Sequence, residues 1–148
     1  MKIVAVIFKS LLIIVIGFVG YLYFSTLLPN TEEMREFYSN RQNEFETENL
    51  KIITDLKAGQ PINSKGNKEI GYLYVQAILK PSISIKYYTH RRGFGVGAFG
   101  TGVAYLENPP HRIYSSLEDM DNDYKSTDGF VGFGTLSPNW YYFRWNTD

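Results

Sequence analysis

The sequence predicts an α+β fold: a single N-terminal transmembrane helix, a connecting helix, and a small, mostly antiparallel β-rich domain. Three observations predict it. Residues 10–28 give 19 consecutive positions without a charge. Apolar residues then recur at helical spacing from Met34 to Leu56. Aromatic residues make up 16% of the chain, with 12 Tyr and 10 Phe, and most follow residue 70 among many glycines. The chain divides accordingly into an anchor (1–29), a connecting helix (30–58) and a β-rich domain (59–148).

A helix rises about 1.5 Å per residue, so the charge-free run would extend roughly 28 Å, close to the roughly 30 Å hydrocarbon core of a bilayer. Lys9, near its start, can snorkel to the interface. Tyr21, Tyr23 and Phe24 cluster at its far end as an aromatic belt requires. Pro29 cannot continue the helical ladder. The stretch Tyr21-Leu22-Tyr23-Phe24-Ser25-Thr26-Leu27-Leu28 is mostly bulky and lacks the Ala-x-Ala-like pattern of a signal-peptide cleavage site, so the span is expected to be kept. Lys2 and Lys9 precede it and Glu32, Glu33 and Glu36 follow it with Arg35. The positive-inside rule then places the C-terminal part outside the cytoplasm. In a bacterium with two membranes this is a single-pass inner-membrane (signal-anchor) protein with its C-terminal domain in the periplasm.

Asn30 can cap the connecting helix, with Glu33 closing a capping box, and Gly59 with Pro61 stops it. Its apolar stripe (Met34, Phe37, Tyr38, Phe45, Ile52, Ile53, Leu56) is interrupted at Arg41 and Asn49. The second half is expected to pack on the protein's own sheet rather than form a coiled-coil seam. Residues 60–68 read as a loop. Strands are expected at 70–79, 82–89, 93–107 (one bulged strand or two short ones), 130–136 and 140–145. Asp128-Gly129 and Ser137-Pro138-Asn139 mark turns, and Ser115 or Ser116 can cap a short helical turn through Met120.

Fifteen basic and fifteen acidic side chains give a net charge of zero, which offers no electrostatic case for nucleic acid. The absence of Cys rules out thiol catalysis, disulfides and thiolate metal sites. With two histidines, His90 and His111, a three-histidine zinc site is impossible. Gly95-Val-Gly97-Ala-Phe-Gly100 matches a dinucleotide-binding fingerprint, but β-like sequence follows where a helix must start, so a glycine-bulged strand packed by aromatic rings is expected. No cofactor is therefore expected.

Glu118, Asp119, Asp121, Asp123 and Asp128 lie within eleven residues. Asp119-x-Asp121-x-Asp123 resembles the start of a calcium loop, yet Tyr124 replaces the turn glycine and Phe130 the bidentate glutamate. A solvated acidic loop is expected. Lys86, His90, Arg91 and Arg92 form the opposite patch, suited to an acidic surface or to the chain's own acidic loop. The candidate partner-binding residues are thus Lys86, His90, Arg91, Arg92, Glu118, Asp119, Asp121 and Asp123. No catalytic set accompanies them.

Ser137-Pro138-Asn139-Trp140-Tyr141-Tyr142-Phe143, and Tyr105-Leu106-Glu107-Asn108-Pro109-Pro110 followed by Ser116-Leu117, resemble segments of small membrane-anchored envelope proteins of Gram-negative bacteria. The resemblance implies an anchor, a helix and a compact β-rich domain, and it brings no catalytic residues. With the opposite charge patches it leads to the expectation of a non-enzymatic, membrane-anchored protein-binding module. By analogy that module would be an immunity-type inhibitor of an envelope-targeted toxin. An accessory subunit of an envelope complex and an envelope glycan or lipid hydrolase are the alternatives.

Overall fold

A computed structural model describes residues 12–19, 28–92, 98–124 and 129–147. Helix α1 (12–19) precedes α2 (Thr31–Ser39) and α3 (Gln42–Lys57). Three strands follow: β1 (Lys65–Asn67), β2 (Tyr72–Ile78) and β3 (Ser84–Arg92). Next come β4 (Ala98–Leu106), α4 (Leu117–Tyr124), β5 (Val131–Ser137) and β6 (Trp140–Thr147). The strands form one six-stranded antiparallel sheet in the order β1-β2-β3-β4-β6-β5.

The transmembrane expectation is overturned. Among the described residues no helix is long and apolar enough to cross a membrane. The described part of the 10–28 run is α1, whose eight residues rise about 12 Å against a core of about 30 Å, and Leu28; the rest of the run lies outside the described residues. An apolar run reports what its side chains tolerate, not how far the hydrogen-bonded ladder extends. The described helix itself holds several β-branched residues and Gly17, all weak helix formers. The single-pass, signal-anchor, inner-membrane and periplasmic assignments rested on that span and fall with it.

The connecting helix is two helices. The Asn30 side chain accepts from the Glu33 N–H at 2.9 Å while the Glu33 carboxylate accepts from the Asn30 N–H at 2.8 Å, the capping box read from the sequence. The break falls at Asn40–Arg41, where Arg41 leaves helical geometry (φ −131°) and its guanidinium stacks over Phe37 at 4.7 Å. The stripe's other interruption, Asn49, is buried and accepts a hydrogen bond from the Tyr87 hydroxyl at 3.3 Å. Gly59, at φ +68°, ends α3 in the left-handed region.

Helices α2, α3 and α4 bury one face of the sheet. Phe45 is fully buried and packs against the rings of Phe37, Tyr38, Tyr87 and Trp140 at 5.2–6.1 Å. Met34, Ile52, Val75, Ile85, Val103, Leu117, Met120 and Tyr142 complete this core. The opposite face, on which none of the helices α2, α3 and α4 packs (the helix-free face), carries a second cluster, Ala98, Ala104, Leu106, Tyr141, Phe143 and Trp145, with Tyr88 and Phe133 packed against it. Rings fit there because β4 supplies Gly100 and Gly102. A Cβ at Gly102 would stand 2.7 Å from the Phe143 ring, and one at Gly100 would stand 2.9 Å from the Trp145 ring. The described end of the sequence's glycine-rich motif is thus a strand overlaid by aromatic rings.

Candidate binding surface

Strand β3 carries four of the eight residues singled out from sequence, and a bulge divides them. Tyr88 pairs with Gly102 but His90 pairs with Thr101, so Thr89 is the extra residue. Strict alternation would aim Lys86, His90 and Arg92 to one side. The bulge reverses the phase beyond Thr89. Lys86 and Arg91 therefore share the helix-free face, while His90 and Arg92 share the helix-covered face.

On the helix-free face the Lys86 ammonium lies 5.5 Å from the centre of the Phe133 ring. β3 and β5 are three strand spacings apart, about 14 Å, so these side chains lean toward one another across β4 and β6. Burial holds the Lys86 amine below its ordinary value. Beside it, Tyr74 and Tyr88 stack at 4.2 Å with 12° between planes, and the Tyr88 hydroxyl donates to Gln76 Oε1 at 3.0 Å. Burial pushes the Tyr88 phenol up to about 12. Arg91 pairs with Gly100 in the row of Trp145 and is exposed. The Trp145 indole stands edge-to-face with Tyr88 at 5.5 Å, and its buried Nε1 has no hydrogen-bond partner among the described residues.

On the other face the His90 and Phe37 rings meet in a T-shaped contact at 5.9 Å, and His90 Nδ1 lies 2.9 Å from Thr89 Oγ1. That hydroxyl donates its proton to the Thr101 carbonyl at 3.1 Å. The proton of a neutral His90 is thereby assigned to Nδ1. Thr89 is buried with its hydroxyl proton committed to a carbonyl, so this pair is not an activated nucleophile and base. Burial lowers the His90 pKa, with Glu33 opposing and Arg144 reinforcing the shift. The Arg92 guanidinium lies 5.8 Å from the Phe99 ring centre.

The expected acidic loop is the helix α4, which disperses its carboxylates and gives each an internal partner. Glu118 accepts from the Thr31 hydroxyl at 2.7 Å, which holds its carboxyl below the usual range, and that hydroxyl in turn accepts from the Leu117 N–H at 2.7 Å. Asp119 is lowered by the hydroxyls of Ser115 and Ser116. Asp121 forms a bidentate pair with Arg144, at 2.8 Å to Nε and 3.0 Å to Nη2. Asp123 meets Arg112 at 2.7 Å and the Tyr114 hydroxyl at 2.9 Å. Among the described residues no cluster of His, Asp or Glu could hold a metal ion; Asp128 lies outside them. The basic patch and the acidic segment therefore do not pair with one another through any described ion pair.

Arg144, nearly fully buried between β4 and β5, was missed from sequence. Its signal was a lone cation inside Trp140–Trp145, a run apolar on both faces, where a buried Arg demands a carboxylate. No family model, curated protein or solved structure matches the chain. Neither fold nor comparisons support the immunity role or the bacterial-envelope placement.

Proposed function

We propose that this chain is a non-catalytic protein-binding module that recognises an acidic partner through the cations of β3. The observation that carries this reading is a segregation of charge hidden by the net charge of zero. The six strands contain no Asp or Glu. The α4 carboxylates meet Thr31, Ser115, Arg144 and Arg112 instead. Lys86, Arg91 and Arg92 are left with no carboxylate in ion-pair range among the described residues. Unpaired cations beside aromatic rings favour encounter with an anionic surface and give it specificity.

The test uses the full chain against a peptide array in which Glu- and Asp-rich sequences are matched by Gln and Asn analogues. The acidic members are expected to bind with an affinity that falls as salt rises. The triple variant Lys86→Gln, Arg91→Gln, Arg92→Gln is expected to lose at least tenfold in affinity while keeping its circular dichroism. Equal binding by acidic and amide peptides, or by variant and parent, overturns the proposal.

A further inference from the structure

We infer that the partner docks on the helix-free face of the sheet, laying a carboxylate on Lys86 and an adjacent apolar side chain against the Tyr74–Tyr88 pair. This rests on the acidic-partner reading above and adds the face, the anchor and the partner's local chemistry. The two faces compete for that role, and charge complementarity decides between them. The helix-covered face already has its own carboxylates: Asp121 lies on Arg144, and Glu33 acts on His90. A second anion there would meet repulsion. The helix-free face presents Lys86 and Arg91 over strands that contain no acidic residue.

Local geometry favours Lys86 over Arg91 as the anchor. Arg91 is exposed, so water screens it and a pair there contributes little. Lys86 is half-buried among Phe133 and its neighbours, and burial already disfavours its charge. A carboxylate arriving at such a cation meets it in a lower dielectric, where a charge-assisted hydrogen bond is stronger than at the surface. The tyrosine wall is set in advance: the rings are stacked and Gln76 holds the Tyr88 hydroxyl, so little side-chain freedom is lost on binding. A rigid aromatic pair beside a partly desolvated cation is the arrangement from which binding hot spots are built.

The experiment measures affinities of the full chain for peptides carrying Glu next to Phe or Leu, each matched by its Gln analogue. Lys86→Met keeps the apolar stem and removes the charge; Arg92→Met does the same on the other face. Lys86→Met is expected to weaken binding tenfold or more and Arg92→Met less than twofold. Exchanging Glu for Gln in the peptide is expected to weaken the parent equally and Lys86→Met no further. If Arg92→Met weakens binding and Lys86→Met does not, this inference fails while the acidic-partner reading stands. If no peptide binds, both fail. A readout that needs no variant is acetylation of Lys86 in the parent, followed by mass spectrometry. Bound peptide is expected to slow it, and an unchanged rate overturns the docking site.

Discussion

On the helix-covered face, most polar groups that enter the core find polar partners from another element, although Arg144 Nη1 has none among the described residues. Tyr87 reaches Asn49, Tyr72 reaches Glu48, Thr31 reaches Glu118, and Arg144 grips Asp121 with two of its nitrogens. On the opposite face, Lys86 faces Phe133, and the Trp145 N–H has no hydrogen-bond acceptor among the described residues. Both faces are rich in rings, so aromatic content does not distinguish them. Supply does: helices bring carboxylates over one face, whereas strands without Asp or Glu bring none to the other, where the Gln76 amide already serves Tyr88. A polar group left without a partner is costly for a fold. Here the charged group left over is a cation, which a partner can satisfy.

The largest expected effect breaks the comparison at its core. Phe45→Ala removes a fully buried ring that touches four others and is expected to cost about 3–5 kcal/mol in urea unfolding. The fraction still folded is expected to bind acidic peptides as the parent does, because Phe45 lies beneath the helices. Phe143→Ala, an equally buried ring on the other face, is expected to lose comparable stability and to weaken the peptide as well. Identical binding losses from the two variants would show that the faces do not act separately.

Next comes the pair that links α4 to β6. Asp121 is partly exposed while Arg144 is not, so Asp121→Ala is expected to cost about 2 kcal/mol, between the values for surface and buried pairs. The double replacement Asp121→Leu, Arg144→Met is expected to recover most of that loss, since it removes the stranded charge along with its partner. If the double variant is no better than the single one, the pair is doing something beyond mutual neutralisation.

Much of this contrast was legible in the chain, and the parts that were not share a physical cause. The Asn30–Glu33 capping box and the Gly59 stop are local, decided by neighbours three residues apart or by one residue's backbone freedom. The same holds for the Pro138–Asn139 turn, where Asn139 takes φ +64°. Trp140–Trp145 read as an aromatic strand, and the structure buries it on both faces. The break at Asn40–Arg41 escaped because apolar spacing continues in phase on either side of it. Strand β1 escaped because it is three polar residues long and exists by pairing with Tyr72 and Tyr74. The Thr89 bulge matters most for the site: one unpaired residue moves Arg91 to the face of Lys86 and His90 away from it, and alternation cannot reveal that. The Arg144–Asp121 partnership spans 23 residues and depends on the register of two elements. At the charge-free run 10–28, hydropathy reported an environment, whereas the described helix there covers residues 12–19 and is too short to cross a membrane.

A pH scan sharpens the helix-covered face with a smaller effect. Burial holds the His90 pKa below its ordinary 6.5, so the folded protein prefers the neutral ring. As pH falls below 6.5 the unfolded chain takes up this proton first. The stability that His90 contributes is therefore complete above 6.5 and is lost as pH falls through the lower folded value. Glu118, lowered from 4.5 by the Thr31 hydroxyl, has its own loss at still lower pH. Between pH 6.5 and 4.5 the melting temperature is thus expected to decline in the parent by less than the Asp121→Ala shift. The decline is expected to vanish in His90→Gln. A decline of equal slope in that variant would assign the proton to another group.

The smallest effect bears most directly on whether the helix-free face is kept for binding. Lys86→Met replaces a partly desolvated ammonium with an apolar chain of similar length. It forfeits a cation–π contact worth about 0.5–1 kcal/mol and removes a desolvation cost of the opposite sign. The balance is expected to leave stability unchanged or raised by up to about 1 kcal/mol, read as an upward shift in the urea midpoint at constant slope. A residue that costs the fold nothing to lose, yet whose loss weakens acidic peptides, is held for recognition, since functional positions commonly trade stability for activity. A clear drop in the midpoint would reverse that assignment. It would make the Lys86–Phe133 contact a brace between β3 and β5, and the helix-free face a second core whose half-buried cation belongs to the fold.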